Sequence, residues 1–253
     1  IIATNADIRK IIIEKLYKQN KIKNLILEKV CFQSVKDFYN VINLVKLNKT
    51  KTWVNLAKRT LPIYKNIKKK INKEKKIFID ISSGSFDMGC NTIHVLDILS
   101  YLSNSIIKKV DMSLVEKKIL KSKRKGFIDF TGTLKAYTFR GDELTLTNYY
   151  NNKKPEITEI FTNDYYFLID TDSKIIKNYK KINQKIQFVS EEIINDSYQS
   201  EMTHIVAMDI LLNGKSELPS LNESFKLHKP MLEAFINHTA KITKKNIYRC
   251  NIT

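Results

Sequence analysis

The sequence predicts a parallel α/β unit that runs into a larger α+β unit built on a mostly antiparallel sheet. Two observations predict it. Between Ile1 and Lys58, three short apolar strands alternate with two stretches of helical period, the pattern of a parallel sheet with right-handed crossovers. From Ile106 to about Ser190 the helical period disappears, and β-rich segments follow one another across short polar turns. The expected division is 1–60 and 61–253, with no low-complexity linker, so the two parts share an interface.

The first strand, IIAT, gives way to a helix that Asn5 or Asp7 can cap, with Ile8, Ile11, Ile12 and Leu16 at helical spacing. A second strand, NLILEK, ends in Glu28 and Lys29. Ser34 then opens a helix with Asp37 as a capping-box partner and Val35, Phe38, Tyr39, Ile42 and Val45 as its apolar stripe. The third strand is TKTWVNLA. Ligands of such sheets sit beyond the carboxyl ends of the strands. Thr4-Asn5, Glu28-Lys29 and Ala57-Arg59 meet that condition together, although polar turn residues at any one strand end need no functional reason.

Pro62 suits the first turn of a lysine-rich helix, whose charges read as a solvated face. After the strand IFIDIS comes GCNTIHVLDILSYL, with His94 and Asp97 three residues apart on one helical face. By themselves these residues read first as an amphipathic core helix with a satisfied histidine, and otherwise as a polar pair held at a cleft. The strands that follow include IIKKVDM, GFIDFTGTLKAYTFRG, DELTLTNYY, ITEIFTN, YYFLIDT and KIQFVS. Two helices come next, one capped by Ser197 with Gly214 at its end, one opened by a Ser220/Glu223 capping box and interrupted by Pro230. NIYRCNI reads as a last strand. His204, His228 and His238 lack metal spacing and read as structural.

Composition narrows the function classes. No apolar run reaches the roughly 20 residues of a membrane span. Three widely spaced cysteines form neither a disulfide framework nor a zinc pattern, so a reducing cytoplasm is expected. The formal charge of +18 is carried almost wholly by lysine spread along the chain. We therefore expect no dedicated nucleic-acid role, and attraction to anionic small molecules instead. IIATNADIRK lacks a signal peptide and an initiator Met and begins inside a strand, so an N-terminally incomplete chain is expected.

The order of these motifs resembles the Gfo/Idh/MocA family of NAD(P)-dependent oxidoreductases over essentially the whole chain. IIATN looks like the family's "ATN" strand and LILEKV its Glu-Lys-Pro motif. NLAKRTLPIY is similar to the segment where an Arg precedes a Pro by three residues. HVLDILSYL looks like its His-x-x-Asp helix, and LPSLNESFKLHKPMLEAF its C-terminal helix. The resemblance implies a Rossmann-like dinucleotide-binding domain, here partial, followed by a domain with an open, mainly antiparallel sheet. It implies NAD or NADP as cofactor, with Thr4 and Asn5 near it and Glu28 contacting its nicotinamide riboside end. Lys29 and His94 would be catalytic, the histidine exchanging a substrate hydroxyl proton. Arg59, Asn91 and Asp97 would bind or orient substrate. GCN-x-IH-type helices are found in members tied to bacterial surface-sugar synthesis, which implies a sugar or nucleotide-sugar substrate. A dimer or tetramer through the open sheet face would follow as well.

This chain departs from the family in several places. Val30 stands where the family has Pro, and Cys90 where many members have Asp. A register that keeps Asp87 and Gly89 in their family places puts Asn91 at the His position and His94 at the Asp position. No G-x-G-x-x-G occurs among the six glycines, so a phosphate-binding βαβ unit is expected upstream of Ile1. The alternatives are a family relative that binds or partners without catalysis and, further off, a basic nucleic-acid-binding protein.

Overall fold

The computed structural model describes residues 1–150, 152–195 and 199–253; the cap expected at Ser197 lies outside them. Helix α1 (Ala6–Gln19) leads to strand β1 (Asn24–Leu27), helix α2 (Val35–Leu47) and strand β2 (Lys51–Val54). β1 and β2 pair in parallel. The expected first strand shrinks to one parallel bridge, Ile2 to Leu27: Ile2 N donates to the Ile26 carbonyl and the Ile2 carbonyl accepts from Glu28 N. Thr4, Glu28 and Asn55 still emerge at one edge.

Ser34 caps α2, its hydroxyl accepting from the Asp37 amide. The buried stripes differ from those expected. In α1 it is Arg9 and Ile13 that are buried, while Ile8 and Ile11 are exposed. The helix is turned by Arg9, whose guanidinium goes inward to backbone carbonyls. In α2, Val41 is buried and Tyr39 lies half out, edge-on to Phe225.

A 3₁₀ turn (Ala57–Thr60), helix α3 (Pro62–Ile71) and strand β3 (Phe78–Ser83) lead to helix α4 (Met88–Ser103). Pro62 occupies the first turn of α3, where a missing N–H costs nothing. Nine strands follow: β4 (Ile107–Val115), β5 (Leu120–Lys121), β6 (Ile128–Asp129), β7 (Gly132–Thr138), β8 (Glu143–Asn148), β9 (Ile157–Phe161), β10 (Tyr165–Asp170), β11 (Ile175–Ile182) and β12 (Lys185–Ile193). β5 and β6 form a small hairpin. The others join β3 in an eight-stranded sheet ordered β12-β11-β10-β9-β3-β8-β7-β4. Only the β3–β8 pair is parallel; the rest are antiparallel.

Alternation gives the sheet two faces. Ile79, Ile81, Leu134, Ala136, Leu144 and Leu146 are buried on the helix side. The opposite face is open. Helix α5 (Gln199–Asn213) packs Val206 and Ile210 against Ile26, Trp53 and Ala57. Helix α6 (Leu221–Thr243) starts at the expected capping box and runs through Pro230 as one helix. The last segment is not a strand. The Cys250 amide donates to Gln33, whereas Asn251 accepts from Ile128 on the other side. Its partners lie in different directions, so no ladder forms. The tail ends with the Thr253 hydroxyl accepting from the Ala6 amide at the start of α1.

Helix α4 is not amphipathic, since twelve of its sixteen residues are buried. Its N-terminus therefore cannot rely on water for its free amides. Asp87, in the left-handed region, makes no side-chain cap. Asp129 supplies the acceptor from β6, with Gly89 N donating to its carboxylate at 2.6 Å. Gly89 suits this crossing, because a Cβ there would meet Ile252 at 2.9 Å and the Ile128 carbonyl at 3.0 Å. We expect Asp129→Ala to cost about 1–3 kcal/mol in urea denaturation, a buried cap lost with its partner left unpaired. A cost near zero would remove Asp129 as the cap.

Candidate active site

The edge where the parallel strands end meets the first turns of α4. Lys29 follows β1 and reaches across to that helix. Its ammonium donates to the Cys90 carbonyl at 3.1 Å, to Cys90 Sγ at 3.0 Å and to Asn91 Oδ1 at 3.0 Å. No carboxylate pairs with it among the described residues. Asn91 is itself oriented by donating to the Phe86 carbonyl at 2.8 Å. The amide thus presents its oxygen to the lysine, and Asn91, rather than His94, is the α4 side chain that Lys29 bonds.

His94 lies one turn further on and is only 4% exposed. Its Nδ1 is buried without a partner. Burial, then the Lys29 and Lys58 charges, hold its pKa well below the ordinary value. The imidazole is therefore neutral near pH 7, with a ring nitrogen uncommitted.

Asp97 is sealed from solvent, and Arg59 from the 3₁₀ turn binds it through both Nε and Nη2, the first at 2.9 Å. Burial pushes the Asp97 carboxyl up to about 6 against the pull of the guanidinium. Beside Arg59, Lys58 pairs with Glu156 at 3.6 Å. Composition hid Lys58 among many lysines. Only its position next to Arg59 could have marked it.

On the other side of the strand ends, Glu28 accepts from the Asn55 side chain and from its neighbour's amide, Lys29 N, at 3.2 Å. Thr4 Oγ1 is buried and without a partner. Asn5 precedes α1 without capping it, and Arg124 from the β5–β6 hairpin reaches its side chain at 3.5 Å. Thr4, Asn5 and Glu28 thus offer spare polar capacity at one edge, suited to an amide-bearing ring and a ribose. Nothing comparable exists for a pyrophosphate. The α1 N-terminus is occupied by Thr253, and no glycine-rich turn opens a helix among the described residues. The residues present fit the nicotinamide end of a dinucleotide only.

One support was invisible in sequence. Arg9, 1% exposed, donates to the carbonyls of Thr4, Val30 and Cys31, the last at 2.8 Å. It ties the two strand ends of the site together. The Lys29–Val30 peptide bond beside it is cis. From α6, His228 Nε2 accepts from the Cys31 amide at 3.4 Å, while Nδ1 lies 2.9 Å from the Ser224 carbonyl. These contacts assign the neutral tautomer with the proton on Nδ1. His228 is structural, and so is His238, bonded to the Glu116 carbonyl; His204 is exposed. No group of side chains suited to a metal occurs among the described residues, and the three cysteines are free. No helix among the described residues is long and apolar enough to cross a membrane.

No protein-family model matches the chain, and no curated protein sequence matches it. Solved structures do. UDP-N-acetylglucosamine 3-dehydrogenase GnnA of Acidithiobacillus ferrooxidans superposes with a TM-score of 0.69 at 11% identity, over 92% of this chain and 76% of that one. An oxidoreductase of Agrobacterium radiobacter, solved with NAD+, L-tartaric acid and magnesium, gives 0.69 at 13% identity, over 94% and 77%. A super-repressor mutant of Gal80p from Saccharomyces cerevisiae gives 0.67 at 14% identity, over 97% and 76%. The structural neighbours are of the Gfo/Idh/MocA type, and the chain shares their fold. At such identities the likeness is one of fold.

Burial holds the His228 pKa at about 3 in the folded chain, against roughly 6.5 when unfolded. Below about 6.5 the unfolded chain takes a proton that the folded one refuses, so this contribution to stability is lost as pH falls toward 3. Near pH 5 the loss is roughly 2 kcal/mol. We expect His228→Gln to flatten that part of the acid limb. Urea midpoints of both proteins near neutrality and near pH 5 check it; an unchanged difference between them would contradict it.

Proposed function

We propose that this chain belongs to an NAD(P)-dependent oxidoreductase that moves a hydride to or from a carbon of a sugar or nucleotide sugar. The fold it shares with GnnA and the NAD+-bound oxidoreductase is the premise. The observation that carries the reading is the convergence, at the ends of parallel strands, of an unpaired ammonium, an oriented amide and a buried neutral imidazole. A nicotinamide cofactor, when bound, supplies the hydride acceptor or donor. Glu28 contacts its nicotinamide riboside end, with Thr4 and Asn5 near the cofactor.

The chain's own residues handle the oxygen of the reacting carbinol. Lys29 places positive charge where that oxygen becomes negative, in a site partly closed to water. Asn91 orients the lysine and bonds a substrate hydroxyl. His94 accepts or returns the hydroxyl proton, its neutral form set by burial. Arg59, held by Asp97, binds or orients an anionic part of the substrate.

A second reading has its own support. Cys90 Sγ fills a contact of the Lys29 ammonium that a substrate oxygen would take, and one structural neighbour is a repressor mutant. On that reading the chain is a binding or partner protein without turnover. We expect Lys29→Met to lower sugar-dependent NAD(P)H formation by roughly 10²–10⁴-fold with an unchanged thermal transition. Equal turnover in this variant, or none in the unaltered protein, would favour the second reading.

We further propose a homo-oligomer, a dimer or tetramer, formed through the open sheet face. Phe78, Phe161, Tyr166, Tyr179 and Phe188 are direct cross-strand partners from β3 out to β12. They form a row of rings, with Phe78 and Phe161 stacked at 5.3 Å and Tyr166 and Tyr179 tilted at 5.1 Å. Phe188 is 57% exposed. A continuous aromatic row on a face without helices is costly to hydrate and self-complementary about a two-fold axis. Light scattering should give at least twice the chain mass, falling to one chain for Tyr179→Glu. A monomeric parent would end this proposal.

A further inference from the structure

A cavity of about 510 Å³ opens at the carboxyl end of β8, on the open face of the sheet. Its wall carries Tyr149 and Tyr150, exposed by 43% and 48%, the Thr133–Thr147 hydroxyl pair, Asn152 and the ions Glu116 and Lys118. The hydroxyls of Thr133 and Thr147 lie 3.0 Å apart. One bond between them leaves a donor and several lone pairs free. Asn152 accepts from the Lys154 amide through Oδ1, which leaves its NH₂ for another partner.

The tyrosine-bearing loop is locked to the turn that leads into α4. Tyr149 N donates to the Ser83 carbonyl at 2.8 Å, and Gly84 N to the Lys154 carbonyl at 2.9 Å. A Cβ on Gly84 would fall 1.8 Å from the Asn152 carbonyl oxygen, so this close approach demands glycine. Thr131 Oγ1 donates to the Asn148 carbonyl at 2.7 Å and accepts from Tyr150 N at 3.3 Å. Asn148, buried, accepts from Phe86 N at 3.2 Å and donates to the Phe130 carbonyl at 3.0 Å. Phe86 in turn orients Asn91. Two short steps of bonding join the cavity wall to the side chain that Lys29 holds.

The lining selects among ligand classes. Glu116 and Lys118 offset one another on the wall, and the Lys154 ammonium lies 4.6 Å over the Tyr149 ring, so hydroxyls, amides and rings rather than an ion pair dominate what a ligand meets. Hydroxyls and amides on the floor argue against a lipid or a steroid. A pyranose matches both features, because its C–H face packs on an aromatic ring while its rim hydroxyls need donors and acceptors side by side. We propose that this cavity is a carbohydrate subsite that seats a pyranose ring against Tyr149 and Tyr150. It rests on the sugar-oxidoreductase reading and deepens it, naming the sugar ring as the part of the substrate held here.

Saturation-transfer NMR with methyl α-glucopyranoside and methyl N-acetylglucosaminide as probes, and glycerol as control, tests it. Ring protons of at least one pyranoside should be saturated, and glycerol should not. Tyr150→Ala and Thr147→Val should each weaken binding roughly 3–10-fold, while Tyr150→Phe retains it; thermal transitions report folding. If Tyr150→Ala does not fold, Thr147→Val and Tyr150→Phe decide. No transfer from either pyranoside, or transfer unaltered by Thr147→Val and Tyr150→Ala, overturns the subsite. Pyranoside binding without NAD(P)-linked turnover would instead sink the enzyme reading and leave the subsite standing. Turnover of a sugar without such binding would do the reverse.

Discussion

The site depends on one buried guanidinium. Arg9 is almost fully enclosed, and it meets three main-chain carbonyls rather than a carboxylate. Carbonyl dipoles leave the charge only partly compensated, and burial lowers its pKa from the usual arginine value. The gain is geometric. A planar donor fork can hold the ends of two chain segments in one plane. Thr4 and the loop carrying Lys29 are thereby joined, and α1 is rotated so that two isoleucines face outward.

Helix α4 carries the other half of the site, and it can do so because it is buried on nearly all sides. Burial withholds water from its polar groups, so each needs a protein partner. Gly89 finds Asp129, Asn91 finds Phe86 and Lys29, and Asp97 finds Arg59. His94 Nδ1 is the exception. That nitrogen, one turn from the Lys29 ammonium, is free for the proton transfer proposed above.

The sheet divides the labour between its faces. The helix side builds the core. The open side carries the aromatic row and, at the ends of β7 and β8, the hydroxyl-lined cavity. The C-terminal tail crosses from the β6 hairpin to the loop after β1 and then to α1, so the parallel unit and the sheet are tied at the edge where the site lies.

Much of this was determined by the sequence alone. Strand–helix alternation, the Ser34 and Ser220 caps, Pro62 in its first turn and the β-rich second half are local signals, and local signals survive folding. The motif order likewise pointed to the fold its structural neighbours share. What the sequence could not show is which face of a helix turns inward when a buried ion overrides hydrophobic period, as Arg9 does in α1. Nor could it show that α4 is enclosed, that Asp97 is sealed behind Arg59, or that Asn91 rather than His94 meets Lys29. These follow from contacts between residues some 40 to 60 positions apart. Residue type sets what each group can bond; only the packed chain decides which partner it meets and whether water remains to compete.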